Sequence, residues 1–509
     1  MPVSRDQQGP GGPALKRLAA LVCDAIDLRH AADLVEWDER VYMPPGGAPV
    51  HGEMQATLRR LSHETFTSST MGDALAAAEQ ETRAADPDSD EARTVAVTRR
   101  DFDKATKVPG AFVAEQARVV SAAQQAWAEA RAAADFNAFR PHLERIVDLK
   151  REYVTFFPKA AHPYDVLIDD YEPGMTTAEV KAVFDALRSR QVDLVRSVAE
   201  RPQIDDRFLR VAYDERALID FSVDAITAFG FDFTRGRQDK SVHPFCTSFG
   251  SNDVRITTRF VEALPLSLLF GTLHETGHAL YEQGVSPAYH RTMLEGGASL
   301  GIHESQSRLW ENIVGRSLPF WECFFPRLRD RFPSQLGGVT LDEFYRGINR
   351  VERSLIRVEA DEATYNLHVM LRVELEIALV EGRVEARDLE EAWNSRMRDY
   401  LGVTPPNAAK GVLQDIHWSA GLIGYFATYT LGNVIAAQLA RAFRASHPSL
   451  DTDMRRGEFS SLLEWLRTNL HRHGRKFQPR ELVERSTGSA IDPKPYLEYL
   501  EEKYLAVYA

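Results

Sequence analysis

Apolar residues recur every three and four positions over long stretches, as in residues 74–85 and 113–134, with Glu, Gln, Arg and Ala between them. That spacing places one apolar stripe on a helix, and the residue types favour helix, so a mostly α fold is expected. Strand-like alternation is confined to residues 249–260, where Asp253-Val-Arg-Ile-Thr-Thr-Arg259 reads as a short β element. Residues 264–284 carry Pro265 near their start and Gly284 at their end, the punctuation of a self-contained helix. Residues 86–91 read as an interhelix turn. Residues 418–440 hold no charge and are long enough to span a bilayer. Ser419, Thr428, Thr430, Asn433 and Gln438, with Gly421, Gly424 and Gly432, make them a buried lining instead. No repeat of 20–50 residues is present. A Pro/Gly-rich run over 7–13 suggests a disordered tail at residues 1–13, and no linker divides the single domain expected over 14–509.

Within the helix at 264–284 lies His274-Glu275-Thr-Gly-His278. Histidines at i and i+4 share one helical face, about 6 Å apart along the axis, close enough to bind one metal ion. Glu275, next to the first, is placed to take a proton from a water activated by that metal. The flanking sequence is strongly apolar, which buries the imidazoles and gives them need of a partner.

Catalytic zinc takes three protein ligands and keeps one open position. A third His six residues beyond the second is excluded, because those positions hold Tyr281 and Gly284. The other common solution is a Glu from a following helix, and Glu304 is the choice. It sits in His303-Glu-Ser-Gln-Ser-Arg308, a polar run inside an apolar frame, as a network around a centre would. The bland alternative is a surface acid on a polar face. His303 competes as a ligand, but adjacent residues point about 100° apart around a helix, so the two cannot both face the metal.

Six separated blocks now resemble the M32 metallocarboxypeptidases, the carboxypeptidase Taq family, in order. They are His243-Pro-Phe245, Asp253-Val-Arg255-Ile-Thr257, the His274–His278 pentad, His303-Glu-Ser-Gln306, Ile356-Arg357-Val-Glu-Ala-Asp-Glu362, and Gly411-Val-Leu-Gln414-Asp415-Ile-His417-Trp418. Weaker similarity runs through Trp37-Asp38, Met43-Pro-Pro45 and Asp169-Asp-Tyr-Glu-Pro-Gly174. The resemblance implies a zinc-dependent exopeptidase removing C-terminal residues, with His274, His278 and Glu304 as metal ligands and Glu275 as base. It also implies a single elongated helical domain split by a deep active-site groove, with a small β element, a gluzincin-like site and a homodimeric assembly. His243, Asp253 and Gln414, as members of these blocks, are expected on the substrate side. Arg353 and Ala427 stand where the family usually has Pro.

The tetrahedral oxyanion of peptide hydrolysis needs preorganised donors besides the metal. His417, Tyr425 and Tyr429 are the candidates, each Tyr also readable as a core residue with a satisfied hydroxyl. An exopeptidase must also hold a terminal carboxylate, which a guanidinium matches with two parallel bonds. Arg255 and Arg357 are both candidates. Asp253 and Asp361 stand close enough in sequence to make either a structural ion pair instead.

A net charge of −13 over 509 residues argues against nucleic acid or anionic membrane as partner. Three scattered cysteines form neither a disulfide framework nor a zinc ribbon, and residues 15–24 have too short an apolar core for a signal peptide. A cytoplasmic enzyme acting on peptides is expected, with zinc the default metal and cobalt or manganese compatible with the donor set. The alternative within the same chemistry is an oligoendopeptidase. A non-catalytic binding protein is disfavoured by the intact Glu275.

Overall fold

The computed structural model describes residues 11–509. The tail expected over 1–13 lies outside the described residues except for its last three, and Pro13 opens the first helix. The chain is mostly α as expected, with three strands among the described residues, and it forms two compact units.

The first unit takes in the described residues up to Lys107, then Ala212–Ala298 and Leu450–Ser486. Helix Pro13–Val41 packs along Ala48–Phe66 and Ser69–Thr82. Leu18, Val22, Ile26, Met71, Leu75 and Leu294 form part of one apolar core there. The apolar stripe read at 74–85 is the buried face of Ser69–Thr82, whose start is capped by the Ser68 hydroxyl accepting from Met71 N. The turn at 86–91 is pinned by Asp86, which accepts from Asp88 N through its side chain and from Ser89 N through its carbonyl.

The sheet of this unit is β1 (Gly236–Lys240), β2 (Cys246–Ser248) and β3 (Val254–Thr258), in the order β1-β3-β2. β3 pairs parallel to β1 and antiparallel to β2, with Arg255 opposite Arg237 and Thr247. β3 is the strand that the alternating pattern predicts, shortened to its central five residues. β1, Gly-Arg-Gln-Asp-Lys, has no apolar residue and gave no signal. It pairs because Gly236 lets the backbones approach, a Cβ there falling 2.6 Å from the Val254 carbonyl oxygen. Helix Ser267–Gly284 packs on β3 and on Glu215–Phe229, and its Leu268, Leu269, Leu273 and Leu280 are buried. The Thr272 hydroxyl reaches Thr258 at 3.0 Å and accepts from Gln238 at 3.2 Å, which fastens helix to sheet.

The second unit comprises Val108–Val211, Ser299–Ser449 and Thr487–Ala509. Its axis is helix Glu362–Glu381, buried along nearly its whole length, charged residues included. Around it lie Thr177–Ala199, Leu389–Leu401 and Ala427–Ser446. The helix read at 113–134 is Gly110–Ala133, ended by Ala134 in the left-handed region. The uncharged stretch 418–440 divides into a turn-rich segment to Phe426 and the first part of Ala427–Ser446. Among the described residues no helix is long and apolar enough to cross a membrane.

Candidate active site

One helical turn places His274 and His278 with ring centroids 5.0 Å apart on Ser267–Gly284. Glu275, between them in sequence, is buried. Ligand atoms of His274, His278 and Glu304 all lie within 4.8 Å of one another, the one such group of three His, Cys, Asp or Glu residues among the described residues. His303, the competing neighbour, is outside it, as the turn of the helix requires.

Glu304 lies on Leu300–Arg308, and the local sequence explains how it is held. Ser299 caps the helix by accepting from Ile302 N at 3.1 Å. Glu172, in the Tyr-Glu-Pro-Gly block, accepts from Gly301 N, and the Tyr171 carbonyl accepts from Leu300 N at 3.1 Å. The Glu304 carboxylate then accepts from Arg308 Nε at 2.6 Å and from the Ser307 hydroxyl at 3.2 Å. Arg308 is itself held by Glu311 and by stacking over Tyr365 at 4.4 Å. The polar run read from the sequence is this network. Two imidazoles and one oriented carboxylate suit a divalent metal, with the carboxylate's second contacts fixing its direction.

A second cluster joins most of the other predicted residues. Arg357, on the short turn Arg357–Glu359, donates to Asp415 from Nε at 3.0 Å and to the Tyr365 hydroxyl at 2.8 Å. Arg372, fully buried, donates to the other Asp415 oxygen at 2.6 Å and to the His368 carbonyl at 2.6 Å. Burial alone would raise the Asp415 carboxyl, but the Arg372 and Arg357 guanidiniums hold it well below the usual carboxylate range. The His417 ring packs on Phe426, centroids 4.4 Å apart and planes tilted by 31°, and its Nε2 meets the Tyr429 hydroxyl at 3.2 Å. Burial, with Arg357 next in effect, lowers its pKa to about 3, so the ring is neutral. Tyr425 packs beside His417 and Tyr429. Its hydroxyl is pushed up to about 12 by burial and then by the Glu304 charge. Both tyrosines therefore keep their protons.

Gln414 accepts from Arg357 N at 2.9 Å and donates to the carbonyls of Leu355 and Lys410, so it brackets the Arg357 segment. Arg255, on β3, is bidentate to Asp253, both bonds 2.8 Å. Its guanidinium lies 4.3 Å over Trp37 and 5.0 Å over Phe249. His243 is exposed on the segment leading into β2. Tyr365 and Arg372 gave no signal in the sequence, whereas Glu172 lies in the Asp169–Gly174 block that did.

A family model described as carboxypeptidase Taq (M32) metallopeptidase matches residues 17–504. Thermostable carboxypeptidase 1 of Thermus thermophilus is 43% identical over 487 residues, which cover 93% of this chain and 95% of that protein. The crystal structure of an M32 carboxypeptidase from Deinococcus radiodurans matches with a TM-score of 0.95 at 44% identity, covering 98% of this chain and 100% of that one. Pyrococcus furiosus carboxypeptidase matches with a TM-score of 0.94 at 35% identity, with coverage of 98% and 100%. The match runs nearly end to end in sequence and in fold, and the chain belongs to the M32, or carboxypeptidase Taq, family of metallocarboxypeptidases.

Proposed function

We propose that the chain is a zinc-dependent carboxypeptidase of broad specificity that releases C-terminal residues from peptides, with Glu275 as general base. The observation that carries this reading is the meeting of His274, His278 and Glu304 ligand atoms within 4.8 Å, with Glu275 beside the first ligand. Those three side chains would hold a divalent metal, whose Lewis acidity would polarise the scissile carbonyl and ease loss of a proton from water. Glu275 receives that proton on its carboxylate and returns it to the departing amine.

His417, Tyr425 and Tyr429 supply neutral N–H and O–H donors to the oxyanion. Their protonation supports this role, since a donor that stays neutral near pH 7 meets developing negative charge without first losing its own proton. Arg255 is our choice for the substrate carboxylate, with Asp253 two residues before it and paired to it, and with His243 assigned to the same substrate side. Its Nη1 makes no bond among the described residues, whereas Asp415 and Tyr365 occupy Arg357. Arg357 and Gln414 then act on the substrate side by fixing the segment that carries Asp415 and His417.

We also assign residues 14–509 to one catalytic domain and infer a cytoplasmic homodimer; the three free thiols fit a reducing compartment. Release of amino acids from peptides with free and with amidated C-termini, with metal measured on the same sample, tests the reading. Free termini are trimmed and amidated ones spared. Equal cleavage of both would identify an oligoendopeptidase instead.

A further inference from the structure

The segment from Asp415 to Phe426 bears His417 and Tyr425, yet it contains no helix or strand. Groups that must meet a transition state need their backbone held, because an error of about 1 Å costs on the order of 100-fold in rate. Arg357 and Arg372 hold the start of the segment through Asp415. What holds the rest is a carboxylate on another helix.

Glu376, on Glu362–Glu381, is wholly buried. One of its oxygens accepts from Trp418 Nε1 at 2.9 Å; the other accepts from Gly424 N at 2.9 Å and from the Tyr164 hydroxyl at 2.5 Å. Trp418 directly follows His417, and Gly424 directly precedes Tyr425. Between them the chain turns back on itself, with Leu422 N donating to the His417 carbonyl at 2.9 Å and Ala420 N to that of Ile416 at 3.0 Å. Gly424 has φ of 101°, and a Cβ there would come within 2.5 Å of the Leu167 carbonyl oxygen, so only Gly brings this amide to the carboxylate. Burial raises the Glu376 pKa to about 7 against the pull of its three donors and of Lys150. Such a group is a poor source of stability compared with an apolar side chain of its size, and a role in specifying geometry accounts for its presence.

We propose that Glu376 is a positioning residue for catalysis: by accepting from Trp418 and from Gly424 it locks both ends of the turn between His417 and Tyr425 and so sets where these two side chains stand. It touches no reacting atom and acts through the turn alone. The inference rests on the reading of His417 and the tyrosines as oxyanion donors.

Three variants of the full-length, metal-loaded protein test it, beside His417→Gln as reference. Trp418→Phe keeps an aromatic ring but removes the bond next to His417. Tyr164→Phe removes a bond to the same carboxylate from helix Pro163–Asp169, outside the turn. Glu376→Gln turns an amide N–H₂ toward donors. Trp418→Phe and Glu376→Gln are expected to lower kcat about 10- to 100-fold with KM within about twofold and metal content unchanged. Tyr164→Phe should lower Tm comparably to Trp418→Phe but keep kcat within about threefold. If His417→Gln lowers kcat while Trp418→Phe and Glu376→Gln leave it intact, the inference is overturned and the functional reading stands. Equal kcat losses in Tyr164→Phe and Trp418→Phe would also overturn it, reducing Glu376 to a structural staple. Unchanged kcat in His417→Gln would remove the functional reading beneath both.

Discussion

Gly432 brings helix Ala427–Ser446 so close to Leu300–Arg308 that a Cβ at position 432 would fall 2.6 Å from Glu304 Cβ and 2.5 Å from its Cγ. Gly432→Ala must therefore push the Glu304 backbone away. Such overpacking costs about 1–3 kcal/mol. Zinc affinity, read by competition with a chelator, should weaken at least about tenfold, as when a ligand's supports are disturbed. Wild-type affinity in Gly432→Ala would mean that the close approach has no bearing on the ligand.

Asp415 is the carboxylate shared by two buried guanidiniums, Arg357 and Arg372. Asp415→Asn leaves both cations buried without it and should lower the unfolding free energy by about 3–5 kcal/mol in denaturant titration. Adding Arg372→Met, which removes one of the stranded charges, should recover part of that loss. A double variant no more stable than Asp415→Asn alone would contradict the electrostatic account.

His417 should stay neutral throughout the working range. Its folded pKa, about 3, lies below the ordinary value of 6.5, so the unfolded chain takes up a proton that the native state refuses. The stabilisation is complete above about pH 6.5 and is lost as pH falls toward 3. The ring signal missing from the NMR spectrum of His417→Gln should therefore show no titration above about pH 5 in the wild type. The variant should also lose less stability on acidification. A midpoint near 6.5 would show an open, solvated ring.

Glu172 predicts the opposite slope. Burial pushes its pKa up to about 8, against the bond from Gly301 N, so the native state holds a proton that the unfolded chain releases near the ordinary value of 4.5. Its contribution is full below pH 4.5 and is lost as pH rises through 8. Glu172→Gln keeps an acceptor for Gly301 N but has no charge to bury. In metal-free protein, Tm should fall less from pH 5 to 8 in Glu172→Gln than in wild type. Parallel pH curves would place no such proton on Glu172.

The helix with the candidate ligands His274 and His278 was legible because its evidence is local: two His one turn apart, Glu275 between them, and Pro265 and Gly284 as punctuation. Glu304 was legible as a polar residue inside an apolar frame. β3 showed in its alternation, whereas β1 has no apolar residue to signal it and pairs closely at Gly236, where a Cβ would clash with the Val254 carbonyl. The supports of the site were hidden for another reason. Arg372 and Glu376 lie in a helix whose charges would ordinarily be assigned to solvent, and both are fully buried. Their partners, Asp415 and Trp418, are 43 and 42 residues away, and Tyr164 is 212 away. Periodicity reports which face of a helix is apolar; it carries no information on which distant donor will meet a charge on that face.

On the proposed function, His274, His278 and Glu304 together hold the catalytic zinc. Metal content of purified wild-type and Glu304→Ala proteins, after identical loading and gel filtration, tests it most directly. We expect about one zinc per chain in the wild type and less than about a tenth of that in the variant, with both proteins folded. Full zinc occupancy in Glu304→Ala would contradict it.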